Sequence, residues 1–365
     1  LNNIGISVIK DESPGAKFTK IKEKTKFYFF VTSFILVQIS SLISIVSQYE
    51  NLEIVTSNFA AMVFLSISLT KISSIMLNKK KLVEALAIAE ELFPKLKSEQ
   101  EELGLEQHLK RFRVLERFIK MIFVSLFLLY VLAVAFTAYV QKSVIVKMSF
   151  DLWFPFDEYD PKFYPFVTLW LTLKEAGAIS VFLGSDLLLF SFVSLCKFYS
   201  ANLRAQMIHL KKDLGSHEMS EKIASIVNMH ESILLLIHEI GSIFSLSLFG
   251  NLCGGSILIC TVCFQVLDSS TMENSLQFAP MLLCDFFQIL FICHCGEKLI
   301  EANEKTLDAV YDIDWTGTDD KRIGHFVLLM LIRTQQPNAL TAWNIFSIEY
   351  KLFLSVSQKS DKYFR

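Results

Sequence analysis

The side chains that could do chemistry in this 365-residue chain are few, and most of them sit inside long apolar runs. Cys260 and Cys263 lie three apart, on one face of a helix, and Cys293, His294 and Cys295 are consecutive. Thiolate and imidazole are zinc ligands, but a structural zinc needs four of them converging tetrahedrally, and residues i, i+1 and i+2 of a helix point in different directions. The other cysteines are Cys196, Cys253 and Cys284, and thiols in apolar runs act as small apolar residues. His230-Glu231 and His238-Glu239 repeat eight residues apart at the edge of an apolar run, where solvated charge is the expected state. No phosphate loop, dinucleotide fingerprint, His-Glu-x-x-His or Gly-x-Ser-x-Gly occurs, so no enzyme, cofactor or metal is expected.

Two patterns carry more. Lys174, Glu175 and Asp186 fall within one apolar run, where ionisable groups are costly and therefore suspects. Lys174 lies about 13 Å into its helix at about 1.5 Å per residue and is expected to snorkel outward, while Asp186 is close to the inner interface; structural pairing is expected for both. In the last apolar run Asn344, Ser347, Lys351, Ser355, Gln358 and Lys362 recur at spacings of 3, 4, 4, 3 and 4, which places them on one face of a helix. A polar stripe on a membrane helix must face water or protein. Several copies around an axis would line a conduction path; in one copy the stripe packs against neighbouring helices.

The elements that must position these residues follow from composition. Hydrophobic residues make up 52%, charged residues only 20%, with 33 Phe, 13 Gly and 7 Pro. Such a chain is an all-α protein solvated mainly by lipid, and its apolar runs are too long for barrel strands. A net charge of -2 gives no basic footprint for nucleic acid. Seven spans are expected near Phe27 to Gln48, Val55 to Met76, Phe118 to Val140, Pro165 to Cys196, Ile233 to Leu267, Leu276 to His294 and Leu340 to Gln358. Lys and Arg number six in 1–26, nine in 77–117, five in 197–230 and five in 298–335. On the other side there are none in 49–54, three in 141–165, none in 269–275 and three in 357–365. Cationic connections stay inside, so the amino terminus is expected in the cytoplasm and the carboxyl terminus outside, opposite to a G-protein-coupled receptor. The outer connections hold no Cys, so no structural disulfide is expected.

The run from Pro165 to about Leu214 and that from Glu221 to Leu267 lack internal Pro, so each is expected to form a helix of more than 45 residues. At about 1.5 Å per residue such a helix is twice the roughly 30 Å core. The surplus, with Leu82 to Arg117 and Glu297 to Ile332, is expected to form a helical layer below the membrane. Outside it, loop 141–165 interleaves Trp153, Phe154, Pro155, Phe156, Phe163 and Tyr164 with Asp151, Asp157, Glu158 and Asp160. This is either an interfacial belt or a lid over a pocket, and its acids raise the local cation concentration in both cases.

The carboxyl-terminal stretch adds a family likeness. Val310-Tyr311-Asp312-Ile313-Asp314-Trp315, Gln336-Pro337-Asn338-Ala339-Leu340-Thr341-Ala342, Phe346-Ser347-Ile348-Glu349 and Tyr363-Phe364 together resemble the signature of insect odorant receptors. The Trp153 to Asp157 loop, Asp186 and Phe287-Gln288 to Cys293 are also similar to it. The resemblance implies a seven-helix subunit joining odorant co-receptor subunits in a heterotetrameric, ligand-gated, non-selective cation channel in the plasma membrane of sensory neurons. The short connection between the fourth and fifth helices implies the odour-tuning subunit and not the co-receptor. A gustatory receptor is the nearest rival, although its Thr-Tyr-x-x-x-x-x-Gln-Phe pattern is absent. A transporter or membrane scaffold would require the stripe to pack internally.

The implied organisation is 1–296 for the amino-terminal segment and six helices around the ligand pocket, 297–335 for a cytoplasmic anchor, and 336–365 for the pore-lining helix and tail. By depth and face, the expected pocket for a small volatile apolar ligand takes Phe59, Met62 and Val63 from the second helix and Tyr130, Ala133 and Thr137 from the third. Trp170, Leu173 and Gly177 follow from the fourth, and Phe278, Met281 and Leu282 from the sixth. Ser357, Gln358, Asp361 and Phe364 are expected beside the path of permeating cations. Asp361-Lys362 departs from the usual uncharged pattern. The chain starts at Leu1 and stops at Arg365, so a trimmed amino terminus and a gate residue beyond Arg365 are also expected.

Overall fold

A computed structural model describes residues 16–95, 100–101, 103–140, 152–157, 160–208, 216–268, 272–313, 321–335 and 339–354. Its helices are α1 (Ala16–Ser47), α2 (Leu52–Leu77), α3 (Lys79–Glu91), α4 (Leu105–Val140), α5 (Tyr164–Ile208), α6 (Ser216–Asp268), α7 (Met272–Tyr311) and α8 (Lys321–Thr334). Among the described residues five helices are long and apolar enough to cross a membrane: α1, α2, α5, α6 and α7. The run from Phe118 to Val140 forms one helix with the polar segment before it, so α4 reaches from the inner layer into the expected third span.

Local sequence sets the boundaries. Asn51 caps α2 by accepting a hydrogen bond from the Ile54 amide at 3.3 Å. Asn78 ends the same helix, its Nδ2 donating to the Ser74 carbonyl at 2.9 Å, and α3 starts at once. Gly104, at φ 61°, turns the chain into α4 in a conformation that a side chain disfavours.

The two long helices have the expected reach: α5 has 45 residues and α6 has 53, against about 20 needed to span. α2 makes its most extensive contact with α6, where Gly250 meets Thr70 and Gly254 meets Ile67. Lipid supplies no hydrophobic drive between helices, so small residues that let backbones approach are what favour such contacts. α1 turns Ser33, Ser40, Ser41 and Ser44 inward and leaves Leu36, Ile39 and Leu42 exposed, the face that suits lipid. Elsewhere in the bundle the Tyr199 hydroxyl donates to the Ala89 carbonyl at 2.6 Å, Phe112 stacks on Phe190, and Asn303 donates to the Thr334 carbonyl at 3.0 Å. These contacts join α3 and α4 to α5, and α7 to α8, the helices expected to share the inner layer.

The last apolar run differs from its reading as one helix. Thr341–Ala342 (β1) and Phe346–Ser347 (β2) pair as a two-stranded antiparallel hairpin, and helix resumes only at Tyr350. Trp343 and Asn344 turn the corner at φ 51° and 54°, which no α-helix contains. Asn344 and Ser347 therefore leave the expected helical stripe; Lys351 is helical, and Ser355, Gln358 and Lys362 lie outside the described residues. The hairpin is held by long-range contacts that periodicity does not encode. Ser245 accepts from the Trp343 amide at 3.0 Å, Glu297 from the Tyr350 amide at 3.2 Å, and His294 Nδ1 meets the Tyr350 hydroxyl at 2.5 Å.

Candidate ligand site

The site lies where α2, α4, α5 and α7 converge within the bundle. Ala61, Phe64 and Leu65 face it from α2, Phe123, Leu126 and Phe127 from α4, and Ile179 and Phe182 from α5. α7 adds Pro280, Met281, Cys284, Asp285 and Gln288, and α5 adds Lys174 and Glu175. The cavity is partly open and measures about 90 Å³. Pro280 sits inside α7 at the wall of the cavity, where its ring removes one backbone hydrogen bond.

Its inner end is aromatic above and polar below. Phe64 and Phe182 stack at 4.7 Å and 9°, and the Lys71 ammonium stands 4.8 Å from the centre of the Phe182 ring. Lys71 is ion-paired to Asp186, both fully or almost fully buried. The remaining Asp186 oxygen accepts from Gln288 at 2.9 Å, and Gln288 also donates to Asn251 at 3.2 Å. One network thus joins α2, α5, α6 and α7. It reaches the cavity through Gln288, which is a member of both.

Asp186 is paired as its position suggested, with a partner, Lys71, drawn from the second span. Lys174 corrects the snorkelling expectation: it is 4% exposed and bonded to Glu175 at 2.7 Å. His230 is likewise buried, not solvated, whereas His238 is exposed. Cys293 and Cys295 are buried free thiols, and no cluster suited to a metal occurs among the described residues.

Of the residues expected around a pocket, Met281 lines this cavity. Leu282 and Val63 pack beside it in the core formed with Leu258 and Val262. Met62 offers its carbonyl to Gln38, Phe59 and Leu173 are exposed at 44% and 48%, and Trp170 meets Phe154 edge-on. Gly177 faces Phe30 of α1, so close that a Cβ would come within 2.3 Å of the ring. The side chains of Tyr130, Ala133, Thr137 and Phe278, and all of Ser357, Gln358, Asp361 and Phe364, lie outside the described residues. Sequence reasoning missed Phe64, Phe127, Ile179, Phe182 and Asp285. For the last a signal was present, because Asp285 is an acid inside the sixth apolar run. Of the outer loop, the described part folds back on the bundle: Ser40 of α1 donates to the Trp153 carbonyl at 2.5 Å, and Phe154 packs on Trp170.

A bundle of long apolar helices around an aromatic cavity, stitched by a buried polar network, defines a helical membrane protein of the ligand-binding class. The family described as 7tm odorant receptor matches residues 51–360, and the chain belongs to that family of insect receptors. Members are receptors and not enzymes. Odorant receptor 67c of Drosophila melanogaster is 24% identical over 355 residues, covering 93% of this chain and 87% of that one. Odorant receptor 67a of the same species is 24% identical over 313 residues, 81% and 76% of the two chains. The fold is similar to that of the insect olfactory receptor OR5 from Machilis hrabei, with a TM-score of 0.79 at 14% identity over 97% of this chain and 90% of that. To the same receptor in complex with eugenol the TM-score is 0.82 at 14% identity, over 99% and 93%.

Proposed function

We propose that this chain is the odour-tuning subunit of a heteromeric, ligand-gated, non-selective cation channel. It assembles as a tetramer with odorant co-receptor subunits in the plasma membrane of sensory neurons and opens when a small volatile ligand enters the cavity. The observation that carries this reading is the cavity itself, with aromatic walls and few polar groups, inside a member of the odorant receptor family. The similar fold of a receptor in complex with eugenol supports a ligand of that size. Burying such a molecule yields about 25 cal/mol per Å² of apolar surface, and a few hydrogen bonds set selectivity.

Opening requires the ligand to bind the open state better than the closed one. The route we favour runs from the cavity through Gln288 into the network of Lys71, Asp186 and Asn251, and along α7 to the hairpin that carries the last helix. In this reading 1–296 forms the ligand unit, 297–335 the anchor and 336–365 the conducting element, with Ser357, Gln358, Asp361 and Phe364 beside the cation path.

The test is whole-cell current in cells expressing this chain with or without an odorant co-receptor, challenged with volatile esters, alcohols, amines and aromatics. Evoked cation current only in co-expressing cells is the expected result. Current that is independent of the co-receptor, or ligand uptake without current, would refute the assignment.

A further inference from the structure

Asp285 has no role in the packing just described. Its side chain lines the cavity and is 95% buried, since only 5% of it is exposed, and its Oδ2 has no hydrogen-bond partner among the described residues. The cation in the lining is already taken: Lys174 bonds Glu175 at 2.7 Å. Lys71 is taken too, by Asp186. Besides the Cys284 thiol, the ionisable groups lining the cavity are therefore one neutral pair and one carboxyl whose Oδ2 is unpartnered. A carboxylate in apolar surroundings is stabilised strongly by any cation delivered to it, and aromatic rings on the wall, Phe123 and Phe127, favour the same sign of charge at their faces.

The geometry points to a specific ligand class: a small protonated amine with an apolar body, its ammonium donating to Asp285 and its body held among the phenylalanine rings. The inference rests on the proposed role of the cavity as the ligand site, and it adds the chemistry that site selects.

Two measurements on the full chain test it. The first needs no ligand response. Cys284 lines the same cavity, so its modification by a cationic methanethiosulfonate (ethylammonium) and by the neutral methyl reagent is followed by mass spectrometry of the Cys284 peptide. The ratio of the two rates cancels the intrinsic reactivity of the thiol. It should fall at least about fivefold in Asp285→Asn, a nearly isosteric change; an unchanged ratio overturns the proposal. The second compares 2-phenylethylamine, 2-phenylethanol and ethylbenzene in cells co-expressing the co-receptor, with surface labelling as the control for folding. The amine should act at about tenfold lower concentration than the alcohol, and Asp285→Asn should abolish that preference while the neutral compounds keep their order. Responses to the neutral compounds with no preference for the amine overturn this inference and leave the receptor reading standing. Silence to all three, with the Cys284 ratio falling as expected, refutes the receptor reading and leaves the cation-selective cavity.

Discussion

Lys71 and Asp186 place opposite charges where each alone would be stranded in a hydrocarbon environment, and Gln288 completes the set of hydrogen bonds. Removing one partner of a buried pair leaves the other uncompensated, at about 3–5 kcal/mol. Lys71→Met should therefore cost about that much and cut surface expression sharply. Lys71→Met with Asp186→Asn should cost clearly less than the two single changes together, as thermal unfolding of purified protein would show. In the inner layer, burial together with Lys197 and Arg111 holds the imidazole of His108 below its ordinary range; Ser194 meets it at 3.2 Å and Phe198 packs on the ring. A histidine whose folded pKa is lowered binds fewer protons than the unfolded chain, so its contribution to stability is lost as the pH falls through the unfolded value near 6.5. The melting temperature should drop between pH 7.5 and 5.5, and His108→Gln should flatten that dependence. Among these residues Asp186 could be recognised as paired from its place in an apolar run, but not its partner, which lies 115 positions away.

At the level of elements, the hairpin before the last helix is seated on α7 through Gly296. A Cβ there would stand 2.0 Å from the Ile348 carbonyl oxygen, a backbone atom that cannot swing aside. Gly296→Ala should lower evoked current at least tenfold per receptor at the surface, read by current normalised to surface labelling; Gly241→Ala, where a Cβ meets nothing within 4 Å, is the control and should not. The long helices were legible because apolar runs of 20 or more residues are long-range averages that no single contact overturns. The hairpin was not. Its strands are two residues each, and Asn344, Ser347 and Lys351 keep helical spacing while the left-handed turn at Trp343 and Asn344 breaks the helix between them. The cavity draws on the same four helices as the expected pocket and, of the described positions, shares Met281 with it; a rotation of one residue, about 100° in a helix, exchanges Val63 for Phe64.

For the whole molecule, the charge asymmetry of the connections predicts a chain with its amino terminus inside and segment 141–165 outside. A glycosylation acceptor inserted near residue 145 should be modified in cells and one near residue 10 should not, as a mobility shift removed by glycosidase would report. The polar network has a further consequence for how the molecule is made. Lys71 enters the membrane with α2, and Asp186 is translated 115 residues later, an interval of about 6–23 s at about 5–20 residues per second. During that time the ammonium has no counterion, and its place close to the inner end of α2 lets its stem extend to the cytoplasmic surface. The pair can close only when α5 arrives, so the second helix must be inserted first and seated afterwards, and the ion pair is a record of the order in which the ribosome delivers the bundle.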